Sequence, residues 1–185
     1  MDDLFLGVLS GTSLDAIDIG LFSFTHATTK LYCSFNYPIP STIKNDCLAL
    51  TETTICNIEQ LGTLDNQLGH LFADAIMAFL KEFNIDTTTI TAIGCHGQTI
   101  HHQPNITNPF TIQLGDPNII AAKTGILTIA DFRRKDLAVG GQGAPLAPAF
   151  HAAVFRSNQI DRVIINIGGI SNISMLYNDP NKPII

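Results

Sequence analysis

The chain has 185 residues, of which 45% are hydrophobic and 14% charged, and its formal net charge is -6. That composition belongs to a globular chain with one good core, or one domain and the start of another, and the acidity argues against a general nucleic-acid binder. No run reaches the ~18 uninterrupted apolar residues of a spanning helix, and the opening MDDLFLGV lacks the basic region and cleavage site of a signal peptide.

The segment LFLGVLS (4–10) reads as a buried strand, and DAIDIGLFSF (15–24) as a second with alternation in its first half. TKLYCSFNYPI (29–39) is a third, and the close succession of the three predicts an antiparallel meander. Over 57–83 the period changes to helical spacing. Leu61, Leu64, Leu68, Leu71, Phe72, Ala75, Ile76, Phe79 and Leu80 form one apolar stripe, and His70 beside it reads as structural or exposed. ITAIGCHGQTI (90–100) predicts a strand running into a glycine-containing loop, and FTIQLG (110–115) a further short strand. DPNIIAAKTG (116–125) has the grammar of a compact helix, with Asp116 as N-cap, Pro117 as first helical residue and Gly125 as stop. ILTIADF (126–132) reads as a buried strand, RRKDLAVGGQGAP (133–145) as a polar, glycine-rich stretch and APAFHAAVF (147–155) as a short helix. RVIINIGG (162–169) and ISNISMLY (170–177) are two strands with almost no loop between them, and NDPNKP (178–183) is a turn. The order predicts an α/β fold with a mixed sheet of about five strands flanked by helices. Cys33, Cys47, Cys56 and Cys95 include no CxxC pair and read as thiols of a reducing cytoplasm, with Cys95 a small core residue.

Two stretches echo each other. FLGVLSGTSLDAIDIGLF and RVIINIGGISNISMLY are each an apolar strand, a turn of small or hydroxyl residues, and a second apolar strand. Glycines permit close approach of a ligand, and turn amides and hydroxyls donate to phosphate oxygens. Either hairpin alone is an ordinary glycine turn; two at opposite ends of the chain suggest a duplicated, two-lobed architecture.

LGVLSGTSLDAIDIGL, GCHGQTIHHQP, FTIQLGDPNIIA, IADFRRKDLAVGGQGAPLAPAFH and INIGGISNIS run from residue 6 to residue 174 and resemble one family closely, anhydro-N-acetylmuramic acid kinase of bacterial cell-wall recycling. The resemblance implies the ribonuclease H-like fold of actin, sugar kinases and heat-shock ATPases, in which two related lobes each offer a hairpin to nucleotide phosphates. It places a first lobe at residues 1–160 and the start of a second at 161–185. It implies a reaction in which 1,6-anhydro-N-acetylmuramic acid, water and ATP give N-acetylmuramic acid 6-phosphate, with Mg2+ as the metal, and it leaves a homodimer open.

By the same resemblance Gly11, Thr12, Ser13, Leu14, Asp15, Ala16, Ile17 and Asp18 match the ATP-binding stretch, with Thr12 and Ser13 donating to the γ-phosphate. Gly168, Gly169, Ser171 and Asn172 would be its counterpart on the second lobe. Asp15 or Asp18 would hold Mg2+ through water, although Asp18 also reads as the polar face of a strand. His96, Gly97, Gln98 and Thr99 would contact the sugar; the plainer alternative is a turn at Gly97 capped by His96. His101 and His102 read as loop residues without metal-ligand spacing. Asp131, Arg133, Arg134 and Gly141 would line the same site, the arginines gripping the lactyl carboxylate or phosphate; the alternative is that Asp131, Arg133, Arg134 and Lys135 pair with each other or with Asp136 at the surface. Family members are about twice this length, with the general-base aspartate in a motif of the form Gly-aromatic-Asp-x-Gly-Pro-Gly-Asn, which does not occur before Ile185. No catalytic residue is therefore assigned here. The expectation is an N-terminal portion, from a shortened gene or a cut chain, that binds weakly and turns over poorly. Its strands over 162–177 would end as apolar edges open to pairing with another chain. The alternatives are a non-catalytic sugar- or ATP-binding module, and a different sugar kinase of the same superfamily.

Overall fold

The computed structural model describes residues 3–25, 28–53, 55–168 and 171–184. Strands β1 (Leu4–Ser10), β2 (Ala16–Phe24) and β3 (Thr29–Pro38) form the antiparallel meander that the sequence predicts, with Gly7 opposite Gly20 and Gly20 opposite Ser34. Helices α1 (Ser41–Glu52) and α2 (Ile58–Glu82) then carry the chain across the sheet. This crossover lets β4 (Ile90–Cys95) return parallel to β1, which no tight turn could do. Strands β5 (Gln98–Gln103) and β6 (Phe110–Leu114) form a separate hairpin. Helix α3 (Pro117–Thr124) leads to β7 (Thr128–Ile129), parallel to β4, and completes a five-stranded sheet of order β3-β2-β1-β4-β7. Helices α4 (Phe132–Ala138) and α5 (Ala147–Phe155) precede an antiparallel pair, β8 (Arg162–Asn166) and β9 (Asn172–Leu176).

The core lies on one face of the five-stranded sheet. Leu6, Val8, Ile17, Ile19 and Ile93 point from the strands into the buried stripe of α2, whose Leu64, Leu68, Leu71, Phe72, Ala75, Ile76, Phe79 and Leu80 are all buried. Leu61 packs at the margin and His70 is exposed. Asn57 starts α2 by accepting from the Glu59 amide at 2.8 Å. Asp116 does the same for α3 through the Asn118 amide, and Gly125 stops that helix in the left-handed region at φ 71°. Cys95 is buried, and desolvation pushes its thiol up to about 11. The opposite sheet face is uncovered over much of its width. Phe5, Gly7, Phe22, Gly94, Ile129 and Phe132 line an apolar hollow of about 440 Å³ there.

Three expectations are corrected, and one element is added. Residues 126–132 contribute only the two-residue β7, an edge strand with one neighbour, and Leu127 and Ile129 are exposed. The glycine-containing loop after Cys95 is only two residues long; Gln98 opens β5, whose polar side chains hide its strand period. Residues 133–138 are helical, as Arg, Lys, Leu and Ala favour. Helix α1 is the added element, over residues that carry no clear periodic pattern in the sequence reading. The hairpin of β8 and β9 does present apolar side chains to solvent, with Val163, Ile165 and Ile173 exposed. Its other side rests on α5, where the His151 Nδ1 and Ser174 Oγ lie 3.0 Å apart. Among the described residues no helix is long and apolar enough to cross a membrane.

Phe79 is fully buried between α2 and β3, edge-on to Phe35. Phe79→Ala is expected to lower the free energy of unfolding by about 3–5 kcal/mol, read as a drop in the urea midpoint with little change in slope.

Candidate functional site

The turn between β1 and β2 is closed by the Leu14 amide donating to the Gly11 carbonyl at 3.2 Å. Leu14 takes φ 53°, and its side chain is buried, as is that of Ile17. Both therefore anchor the turn from below and can face a ligand only through their backbone. Thr12 and Ser13 stand exposed at its crest, and a Cβ built on Gly11 would meet nothing within 4 Å. This leaves two hydroxyls and the backbone of Thr12 and Ser13 on an open loop, with the Ser13 hydroxyl also bonded to Asp15. Ala16 opens β2 at half burial.

The two aspartates behind the turn already have partners. Asp15 Oδ1 accepts from Lys44 Nζ at 2.7 Å, and hydrogen bonds from Lys44 and Ser13 hold its carboxyl below the usual range. Asp18 accepts a short hydrogen bond from Asn36 across the β2–β3 ladder. Among the described residues no three His, Cys, Asp or Glu side chains gather as a metal cluster. Gly168, Ser171 and Asn172 border the β8–β9 turn and are exposed, whereas Gly169 lies outside the described residues. Among the described residues no hydrogen bond or ion pair joins this turn to Gly11–Ser13.

A second group of residues converges past the end of β4. His96, Gly97, Gln113, Gly115, Asp131 and Arg134 help line a pocket of about 220 Å³. Gly97 makes its turn at φ 72°, where a Cβ would stand 2.6 Å from the Leu114 carbonyl oxygen. The Arg133 Nε donates to His96 Nε2 at 2.8 Å, and its Nη1 donates to the Gly143 carbonyl at 2.7 Å. His96 Nε2 must then be the acceptor nitrogen, and Nδ1 carries the proton given to the Gly97 carbonyl at 2.9 Å. The ring is thus neutral in this arrangement. Burial pushes its pKa below the ordinary 6.5, the Gly97 carbonyl opposes that shift, and the Arg133 charge adds to it.

The arginines divide the work. Arg134 pairs with Asp131 at 2.6 Å, as the plainer reading of this basic run anticipates. Among the described residues Arg133 bonds to a neutral ring and a carbonyl and to no carboxylate, so its charge stays uncompensated beside the pocket. Asp136 pairs with neither. Its carboxylate accepts from the Gly143 amide at 2.7 Å, and a Cβ at Gly141 would collide with it, so Asp136 shapes the glycine loop. Gly141 is a loop-forming residue and does not line the pocket. Gln98 is buried, with its carboxamide on Ser10 and on the Thr99 carbonyl, and Thr99 Oγ1 accepts from Gln113. A larger hollow of about 630 Å³ between α1 and α2 holds none of the candidate site residues and no converging charges of both signs. The roles of Lys44, Asn36 and Asp136 escaped the sequence, because each depends on a partner that only the fold supplies.

A meander of three strands continued by parallel strands, with a hydroxyl-bearing turn at its first bend, fits a lobe of an actin-like ATPase. The profile of the anhydro-N-acetylmuramic acid kinase family matches residues 3–185, and the chain belongs to that family. It is 50% identical over 183 residues to an anhydro-N-acetylmuramic acid kinase of Vibrio vulnificus strain CMCP6, covering 99% of this chain and 49% of that protein. It is 51% identical over 181 residues to the kinase of that name from Pasteurella multocida strain Pm70, covering 98% and 48%. The chain spans about half the length of the curated relatives it matches.

A lowered folded pKa means that the unfolded chain binds the His96 proton first as pH falls. The stability that the neutral ring contributes is present above pH 6.5 and is lost as pH drops through the folded value. The urea midpoint is expected to fall between about pH 7.5 and pH 5.5 by more in the wild type than in His96→Gln. His96 should also titrate below 6.5 by NMR.

Proposed function

We propose that this chain supplies the phosphate turn and the sugar pocket of a kinase that converts 1,6-anhydro-N-acetylmuramic acid, with water and ATP, to N-acetylmuramic acid 6-phosphate. The observation that carries the reading is the pairing, within a chain of this family, of an open hydroxyl turn with a pocket that has an uncompensated guanidinium beside it. Phosphoryl transfer needs charge stabilisation, alignment and a base. Thr12, Ser13 and the amides of their turn offer donors to the γ-phosphate of ATP. Arg133 lies where an anionic group, the sugar's lactyl carboxylate, would be drawn. Gly97 and Gly115 keep the wall low enough for a ring to enter.

ATP fits the exposed donors of the turn. Mg2+, which neutralises phosphate charge when bound, would touch this chain only through water on Asp15 or Asp18, since each carboxylate already serves another group. Gly168, Gly169, Ser171 and Asn172 belong to the proposed counterpart turn of a second lobe that starts at residue 161, after a first lobe over 1–160. Asp131 is held by Arg134, and in this reading the chain by itself acts as a binding unit. A cytoplasmic location and a homodimer belong to the same proposal.

The test is titration of the 185-residue chain with MgATP and with the anhydro sugar, followed by NMR and by ADP release. MgATP is expected to move the Thr12 and Ser13 amides, the sugar to move Gly97 and Gly115, and no sugar-dependent ADP should appear. Absence of both sets of shifts refutes the reading. Sugar-dependent ADP would place a working base within these residues and make Asp131 the first to replace.

A further inference from the structure

We propose that Ser10 and Gln98 form a buried strut that registers the phosphate turn against the sugar pocket, so that both are positioning residues and Gln98 is not a sugar ligand. This rests on the reading of the two turns given above.

The geometry begins with the parallel ladder of β1 and β4. It runs through Val8 opposite Cys95 and ends with the His96 amide donating to the Val8 carbonyl at 3.0 Å. Beyond that point the two chains part. β1 continues beside β2 as far as Ser10 opposite Ile17 and enters the Gly11 turn. β4 reverses at Gly97 and re-emerges as β5, beginning at Gln98. Backbone pairing no longer ties them where both candidate subsites begin.

The tie is made by side chains instead. The Ser10 hydroxyl donates to Gln98 Oε1 at 2.6 Å across 88 residues of sequence. Ser10 is 3% exposed and Gln98 1% exposed, so water does not compete. The other end of the carboxamide is also used, Nε2 donating to the Thr99 carbonyl at 3.1 Å. At 1% exposure Gln98 offers a sugar no open face, and its carboxamide is engaged at both its oxygen and its nitrogen.

A filler role would be served as well by an apolar pair, since nearby Leu6, Val8, Cys95 and Ile100 are all buried apolar side chains. What a buried hydrogen bond adds is direction and length, which hydrophobic contact does not fix. Transfer in line between a bound donor and acceptor depends on their separation being held. Ser10 directly precedes the turn proposed for the donor. Gln98 directly follows the turn whose His96 and Gly97 line the pocket proposed for the acceptor. One bond thus fixes the distance between the two.

The experiment uses the 185-residue chain with Ser10→Ala, Ser10→Thr and Gln98→Met, the last in case the first folds poorly. Without ligand, Ser10→Ala and Gln98→Met are each expected to raise amide hydrogen exchange on the order of tenfold at both 11–14 and 96–99, with α2 and β2 unchanged and Ser10→Thr near wild type. Faster exchange in only one turn, or a uniform rise across the core, overturns the strut. With MgATP, shifts in the wild type should appear at Thr12, Ser13 and also at 96–99, and in Ser10→Ala at Thr12 and Ser13 alone. Shifts at Thr12 and Ser13 that never reach 96–99 in the wild type also overturn it. If MgATP moves no amide, the phosphate-turn reading fails, and the ligand-free comparison alone decides whether Ser10 and Gln98 couple the two turns.

Discussion

Strand β1 sits at the centre of the sheet with an antiparallel neighbour on one side and a parallel neighbour on the other, and the positions of the Gly11–Ser13 turn and of His96 and Gly97 follow from that double pairing. The antiparallel partner makes β1 end in a tight turn, which brings Thr12 and Ser13 to the end of the sheet. The parallel partner makes β4 finish at that same end, so His96 and Gly97 emerge beside them. The long crossover demanded by parallel pairing is the reason for α2, and the Leu and Phe stripe of α2 is what buries the sheet. Core, crossover and both turns are thus consequences of one arrangement.

Charge is handled locally in this acidic chain. Asp15 with Lys44, Asp74 with Lys123 and Asp131 with Arg134 are exposed or half-exposed pairs, worth little to stability in water. Their effect is to take carboxylates and cations out of play near the turns. Arg133 differs because its partners are neutral. The same contact that fixes the His96 tautomer leaves a positive charge with no counter-ion among the described residues, beside a pocket where His96, Asp131 and Arg134 meet.

Much of this was legible in the sequence where a local rule decides the outcome. The alternation and spacing of β1 to β3, the helical stripe of α2, and the Asp116, Pro117 and Gly125 punctuation of α3 all depend on neighbours in the chain. The family was legible through long motifs such as GTSLDAID and GCHGQTI. What was not legible depends on partners brought together by folding. Asp15 meets Lys44 only because α1 folds back over the hairpin, and Asp18 meets Asn36 only through strand register. Gln98 looks like a ligand residue in HGQT because sequence cannot reveal that its carboxamide turns inward to Ser10. Strand β5 escaped because a short hairpin of Gln, Thr and His has little apolar period to detect.

The uncovered sheet face has a thermodynamic consequence. Gly7, Gly20 and Gly94 stand in one row across three strands, and phenylalanines beside that row remain in contact with water in the folded chain. Unfolding releases new hydration only from apolar surface that was dry before. A chain that keeps aromatic area wet when folded therefore has a smaller heat-capacity increment per residue than the usual ~12–15 cal/mol/K, and its stability changes less steeply with temperature on either side of the optimum.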